Sequence, residues 1–362
     1  MKDTRKKIFV AMSGGVDSSV AAALLRRQGH EVVGITMCFN SKRTDKRPLS
    51  RRKAKGIESA RRAARILGIP HHVVTLQEDF ENLVIEHFVA EYQAGRTPNP
   101  CVRCNQMIKF GVLYKRVTAL GATHLATGHY ARIAYNRYRG AFELKKAVDV
   151  HKDQSYFLYC IDKKVMGKIL FPLGEYRKSQ VRQIAKRLKL NTADQKDSQD
   201  ICFVPQGGYK SFIKDYKGAA YCKPGSFMDH NGQDVGKHKG LSHYTIGQRD
   251  KLGLALGYPA YVYKIDRKRN TVYVGPREYL EAPGLWAHHC QFFTDKIPKT
   301  SIKGEVKIRY NSIPVQARLF IKDRRQGRII FDRPQQAVTP GQSVVFYKRD
   351  KVLGGGIIKE RI

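Results

Sequence analysis

Apolar residues in the first 130 positions fall into short unbroken runs separated by stretches with helical spacing. The runs Ile8–Met12, Glu31–Met37, His71–Leu76 and Thr123–Thr127 have the length of buried strands. Between them, amphipathic patterns over Ser18–Gln28, Glu58–Leu67, Glu78–Gln93 and Asn105–Leu120 end on Gly29, Gly68, Gly95 and Gly121. This alternation predicts an α/β domain with a doubly wound parallel sheet and ligand at the carboxyl ends of the strands. Ser13, Met37 and Gly128 would sit at such ends. From about Pro205 the pattern shortens to alternating runs with turn signals at Pro224-Gly225, Asn231-Gly232 and Pro283-Gly284. Tyr261–Ile265 and Thr271–Gly275 read as one hairpin. Past Gly284, six runs (286–293, 302–310, 314–321, 328–331, 343–347 and 352–358) predict a small β-barrel whose closure removes edge strands. The expected organisation is an α/β domain over 1–204, a small β-rich adaptor domain over 205–280 and a β-barrel over 281–362.

Where the first strand ends, Ser13-Gly14-Gly15-Val16-Asp17-Ser18-Ser19 breaks on two glycines and enters a helix. Glycines admit a phosphate close to the backbone, the hydroxyls of Ser13, Ser18 and Ser19 can donate to it, and the helix N-terminus adds positive dipole. The G-x-x-x-x-G-K-[ST] pattern and its lysine are missing, so this is not a Walker loop. An ordinary Gly-Ser turn is the plainer alternative.

Charge and cysteine content narrow the picture. The 362 residues carry 67 Lys+Arg against 31 Asp+Glu, a net charge of +36 spread from end to end. Such an excess suits a polyanionic partner, RNA above all. The segment 42–55 holds eight basic residues against one acid and reads as a solvated loop. No apolar run approaches a membrane span, and the basic start runs straight into a strand rather than a signal peptide, so a cytoplasmic protein is expected. Seven cysteines, an odd number, argue against a disulfide framework. Cys101 and Cys104 form a C-x-x-C ahead of an amphipathic helix whose N-terminus would stabilise a Cys104 thiolate. Cys202 lies in a polar loop. No second pair completes a zinc site, and Cys38, Cys160, Cys222 and Cys290 read as small buried hydrophobes.

Eight segments taken in order resemble the bacterial tRNA-specific 2-thiouridylase family. They are Ser13–Ser18, Gly95–Pro100, Cys104-Asn105 with Ile108–Phe110, Ala126–Tyr130, Lys152–Tyr159, Asp197-Ser198 with Ile201–Phe203, Thr245–Arg249 and Thr339–Ser343. The resemblance implies an adenine-nucleotide α-hydrolase-like domain that binds ATP through Ala11, Met12, Ser13, Gly14, Gly15, Val16, Asp17 and Ser18, with Met37 and Gly128 at the adenosine. It implies that the wobble uridine O2 of a tRNA attacks the α-phosphorus and that pyrophosphate leaves. Cys202 would carry sulfur as a persulfide received from a sulfur-donor protein, and Cys104 would release it. Asp17 would hold Mg²⁺. Asn99, Pro100 and Cys101 would face the target base, while Lys152, Asp153, Gln154, His129, Arg309, Tyr310 and Gln342 would touch the tRNA.

Many members of the family carry Asp where this chain has Cys101. Two readings follow: Cys104 and Cys202 work as a persulfide–disulfide pair, or Cys101, Cys104 and Cys202 together hold a [4Fe–4S] cluster. Two rival functions also fit parts of the chain. An ammonia- or amine-using, AMP-forming synthetase would explain the loop but neither the cysteines nor the charge. A non-catalytic RNA-binding protein would explain only the charge.

Overall fold

The computed structural model describes residues 5–39, 51–190, 201–205, 207–218, 223–293, 301–323 and 325–362, with backbone alone for 51–53. Its residues divide into two compact units. One comprises 1–84, 101–199 and 350–352; the other comprises 85–100, 200–349 and 353–362.

The first unit is built on a parallel sheet in the order β3-β2-β1-β4-β7. These strands are β1 (Lys7–Ala11), β2 (Glu31–Cys38), β3 (His71–Thr75), β4 (His124–Thr127) and the two-residue β7 (Ile169–Leu170). Hydrogen bonding on both sides, Ile8 opposite Val32 and His124, makes β1 a central strand. Central parallel strands must be apolar on both faces, and Ile8, Phe9 and Val10 are buried. Helices α1 (Val16–Arg27), α2 (Arg51–Ile66) and α8 (Lys178–Arg187) lie together on one face. Their Val20, Leu24, Ala60, Ala63, Val181 and Ala185 share one core with Ile8 and Val10. Alanines at 21, 22 and 23 let α1 pack closely between its neighbours.

Several boundaries differ from expectation for local physical reasons. Helix α1 starts at Val16 rather than Ser18. Helix α2 starts at Arg51, so the last part of the basic run is helical: Arg, Lys and Ala are all good helix formers. Of the loop expected over 42–55, residues 42–50 lie outside the described residues, as does Asp197-Ser198. The helix expected over 78–93 is continuous through α3 (Gln77–Phe80), a π-helical turn (Glu81–Ile85) and α4 (Glu86–Gln93). The helix expected from Asn105 begins at Pro100 as α5 (Pro100–Arg103), continues as a π-helical stretch (Cys104–Leu113) and ends in α6 (Tyr114–Ala119). Pro100 sits at the first helical position, where its missing N–H costs nothing. Cys104 is therefore a full turn inside the helix, and Cys101 occupies the first turn. The hairpin of β5 (Arg132–Asn136) and β6 (Ala141–Lys145) was not legible, because its strands are only partly buried and rich in charge.

The second unit holds two β-structures. One is a four-stranded sheet in the order β10-β11-β8-β9, from β8 (Gly225–Met228), β9 (Asp234–His238) and the expected hairpin β10 (Tyr261–Asp266) and β11 (Thr271–Gly275). The other is the expected barrel, from β12 (Glu281–Phe292), β13 (Ile302–Lys307), β14 (Val315–Asp323), β15 (Gln326–Gln336), β16 (Ser343–Lys348) and β17 (Lys351–Arg361). The order β12-β15-β14-β13-β16-β17 closes when β12 pairs antiparallel with β17. Leu285, Ile329, Val344 and Ile358 fill its interior with no exposed surface. Helices α7 (Lys163–Met166) and α9 (Gly208–Lys217) complete the described elements used below.

Candidate active site

The loop after β1 is an anion-binding turn built by backbone constraint. Gly14 takes φ +80°, and a Cβ there would lie 2.2 Å from the Gly56 carbonyl oxygen. Gly15 is the N-cap of α1 and has no side chain to cap the first-turn N–H groups. Two of the three hydroxyls expected to face a phosphate are used inside the loop. Ser18 accepts from the Ser13 N–H at 3.2 Å and donates to the Gly15 carbonyl, which also receives the Ser19 hydroxyl at 3.0 Å. Ser13 is exposed. Gly128, just past β4, abuts this turn: a Cβ there would lie 2.7 Å from the Ser18 nitrogen and 2.8 Å from the Asp17 carbonyl carbon. Met12 is buried, with its carbonyl accepting from the Thr36 hydroxyl at 2.8 Å, while Met37 is half-buried at the end of β2.

Asp17 has partners that the sequence reading missed. The Lys178 ammonium, on a residue only 7% exposed, donates to both Asp17 carboxylate oxygens at 2.8 and 2.7 Å. The Tyr130 hydroxyl donates to the same carboxylate at 2.8 Å. Lys178 opens α8, where the helix dipole disfavours a cation, and it shares the inward face of Val181 and Ala185. A lysine at the start of a helix and in register with its apolar stripe is the signal that would have found it. Gln154 accepts from the Tyr130 N–H at 3.0 Å and donates its own N–H to the Tyr130 carbonyl, so it fixes Tyr130. Asp153 accepts from the Ala147 and Ser155 N–H groups and the Ser155 hydroxyl, and Lys152 is half-buried beside it.

His129 packs against Phe110 and Phe171, which also touch each other, with its Nδ1 2.7 Å from the Thr127 hydroxyl and its Nε2 3.3 Å from the Lys109 ammonium. An ammonium only donates, so Nε2 accepts and the proton sits on Nδ1. Burial first, and Lys109 second, hold this imidazole well below its usual pKa, and it is neutral.

The cysteines separate by environment. Cys101 and Cys202 are exposed, and Cys104 is half-buried at the start of the π-helical stretch. Cys160 and Cys290 are buried, as expected, and burial pushes each thiol up to about 12; Cys38 is half-buried, and Cys222 lies outside the described residues. The Cys160 thiol donates to the Val102 carbonyl at 3.5 Å, which braces the turn between Cys101 and Cys104. Beside Cys202, the Phe203 ring packs edge-on against Phe88 and Phe212 at 5.2 and 5.3 Å. Among the described residues, no group of three or more His, Cys, Asp or Glu side chains could hold a metal ion.

In the second unit the segment Arg96–Pro100 is clamped by the barrel. The Thr97 N–H donates to the Pro340 carbonyl at 2.9 Å, and the Gln342 amide donates to the Thr97 and Pro98 carbonyls at 2.9 and 3.3 Å. Gly341 (φ +91°) makes this possible, since a Cβ would lie 2.9 Å from the Thr97 nitrogen and oxygen. Gln342 therefore holds Thr97 and Pro98, and with them the lead-in to Asn99. Arg309 is exposed and donates to the Gln336 and Ala337 carbonyls, and the Lys307 ammonium lies 5.5 Å from the Tyr310 ring centre.

Three family profiles cover this chain in succession: a tRNA methyl transferase HUP domain over residues 6–206, a tRNA methyl transferase PRC-barrel domain over 210–276 and an aminomethyltransferase beta-barrel domain over 283–358. The tRNA-specific 2-thiouridylase of Carboxydothermus hydrogenoformans is 46% identical over 99% of both chains. That of Halothermothrix orenii is 47% identical over 98% of this chain and 99% of its own. That of Geobacter metallireducens is 45% identical, over 98% and 97% respectively. The chain belongs to the tRNA-specific 2-thiouridylase family.

Two substitutions probe how the family's motifs are held in place. Gly128→Ala forces a methyl against the backbone of Ser18 and Asp17, so ATP affinity should fall at least about tenfold and the melting temperature should drop by a few degrees, as read by calorimetric titration and thermal unfolding. Phe203→Ala removes the ring that ties down the Cys202 segment. If Cys202 delivers the sulfur, as the resemblance implies, the rate of modified-tRNA formation should fall at least about tenfold while pyrophosphate release stays near normal.

Proposed function

We propose that this chain converts the wobble uridine of tRNA to 2-thiouridine, with ATP cleaved to AMP and pyrophosphate. The observation that carries the reading is the Ser13–Ser18 turn at the head of α1, with the Lys178–Asp17 pair beside it, in a chain alike over its whole length to tRNA-specific 2-thiouridylases. The α1 N–H groups bind the triphosphate, and Met37 and Gly128 border the adenosine. Lys178 supplies the cation that a Walker loop takes from its own lysine: it leaves Asp17 for the phosphates as charge builds on the departing pyrophosphate. Asp17, the loop's single carboxylate, would hold a Mg²⁺ accompanying the triphosphate, and the ion would help neutralise charge on the pyrophosphate.

Asn99, Pro100 and Cys101 face the target base, with His129, Lys152, Arg309 and Tyr310 toward the RNA. Asp153, Gln154 and Gln342 serve by holding those segments. The uridine O2 attacks the α-phosphorus, and pyrophosphate carries away the electron pair of the broken P–O bond. The terminal sulfur of a Cys202 persulfide, loaded by a sulfur-donor protein, then bonds to C2. The Cys104 thiolate attacks Cys202 Sγ, breaking the old S–S bond and forming a Cys104–Cys202 disulfide, and AMP departs with the former O2. A dithiol reductant regenerates the pair. Cys101 takes the place beside the base where many members of the family carry Asp, and in the persulfide–disulfide route it takes no part in sulfur transfer. The reaction belongs in the reducing cytoplasm.

The test is nucleoside analysis of tRNA incubated with the protein, ATP, Mg²⁺ and a persulfide source. Formation of 2-thiouridine with one pyrophosphate per product is expected; pyrophosphate release that does not depend on tRNA would overturn the assignment. Cys202→Ser should still release pyrophosphate yet give no 2-thiouridine, whereas Asp17→Ala and Lys178→Met should each lower pyrophosphate release by at least about 10²-fold. Thiolation at the normal rate by Cys202→Ser would move the persulfide elsewhere.

A further inference from the structure

The helix layer of the first unit presents a face of one sign. Arg26 on α1, Arg61 and Arg65 on α2, and Arg182, Lys186 and Arg187 on α8 are all exposed. None of them pairs with a carboxylate among the described residues, and across the described side chains of these three helices the single exposed acid is Glu58. Surface helices ordinarily intersperse charges of both signs, with acids placed to pair along the helix. Cations in a last turn also complement the helix dipole, and that accounts for Arg26, Arg65, Lys186 and Arg187. It does not account for Arg61 or Arg182, which lie inside their helices.

The three helices run side by side. Residue 178 at the head of α8 meets residue 17 at the head of α1, and α1 packs between α2 and α8. Helix α1 is buried from Ser18 to Leu25 and reaches this surface only at its last turn, so at an interaxial spacing of about 8–10 Å the cations of α2 and α8 flank it across about 20 Å. Helices of 10 to 16 residues give it a length of about 15–24 Å. Packed helices with alanine-rich interiors hold these arginines on a rigid base, so little ordering is lost when they meet a ligand.

We infer that this face is a docking surface for the phosphodiester backbone of tRNA, separate from the residues that meet the target base. The inference rests on the proposed function and extends it to a second contact region. Unpaired guanidiniums over a surface of this size match a stretch of RNA backbone, where each neutralised phosphate releases condensed counterion. A contact of this kind positions the RNA without reading its sequence.

The full-length variant Arg61→Gln/Arg65→Gln/Arg182→Gln/Arg187→Gln tests it through tRNA affinity measured from 50 to 300 mM salt. The slope of log K against log salt should shrink by about 2–3, and affinity near 0.1 M should fall about tenfold or more. Unchanged ATP affinity would show that the fold is intact. A control variant removes the same charge at exposed Lys303, Arg318, Lys322 and Arg333 and should keep most of the slope. An unchanged slope in the four-arginine variant, or an equal loss in the control, overturns the inference. So does an unchanged tRNA affinity accompanied by loss of binding to polyglutamate, which would give the face to an acidic protein. Wild-type protein that binds no tRNA at any salt would instead strike the proposed function.

Discussion

The site depends on one ion pair, its ammonium buried and its carboxylate half-buried. Lys178 stands at the head of a helix and inside the core, and both circumstances penalise an ammonium. Asp17 makes the position tenable, with the Tyr130 hydroxyl as a third member. Asp17 belongs to the first turn of α1, where negative charge is favoured, so the pair ties the heads of two parallel helices together at the phosphate turn. Removing either partner leaves a charge in surroundings arranged for two, and such losses are typically larger than the net worth of the intact pair. In the proposed function the same pair supplies the site's chemistry, because a cation held this close can exchange a carboxylate for a phosphate.

A second theme is how many polar residues of the motifs are spent on the chain itself. Asp153 and Gln154 tie up their own loop and Tyr130, Gln342 holds Thr97 and Pro98, and Ser18 and Ser19 stitch the phosphate turn. Buried and half-buried polar atoms must be satisfied, and here they are satisfied by fixing segments that carry the reactive groups. Motif strings far apart in sequence thus report one assembly: Thr339–Gln342 and Thr97–Pro98 make sense only as a pair. His129 fits the same pattern, because a neutral ring packed against two phenylalanines orders Thr127 and Lys109.

Much of this was legible in the sequence. The strand runs around Ile8, Val32, Val73 and Leu125 and the glycine-stopped helices specified the parallel sheet. The ten-residue spacing past Gly284 specified the barrel, since period-2 runs with turn signals allow few other solutions. The phosphate turn was readable because Gly14 is demanded by backbone conformation and close approach. Lys178 was hidden because lysines abound in this chain, and only its helical register marks it. The start of α2 was obscured by its charge, and the position of Cys104 by placing the helix start at Asn105 when Pro100 begins it. The clamp between Gln342 and Thr97 spans 245 positions, beyond any local pattern.

The central claim is that the uridine oxygen itself is adenylated beside the Lys178–Asp17 pair. The direct measurement is a single turnover on tRNA whose wobble uridine carries ¹⁸O at O2, with mass analysis of the nucleotide released. The account predicts one ¹⁸O in AMP for each 2-thiouridine formed and none in pyrophosphate. Unlabelled AMP accompanying 2-thiouridine would contradict it.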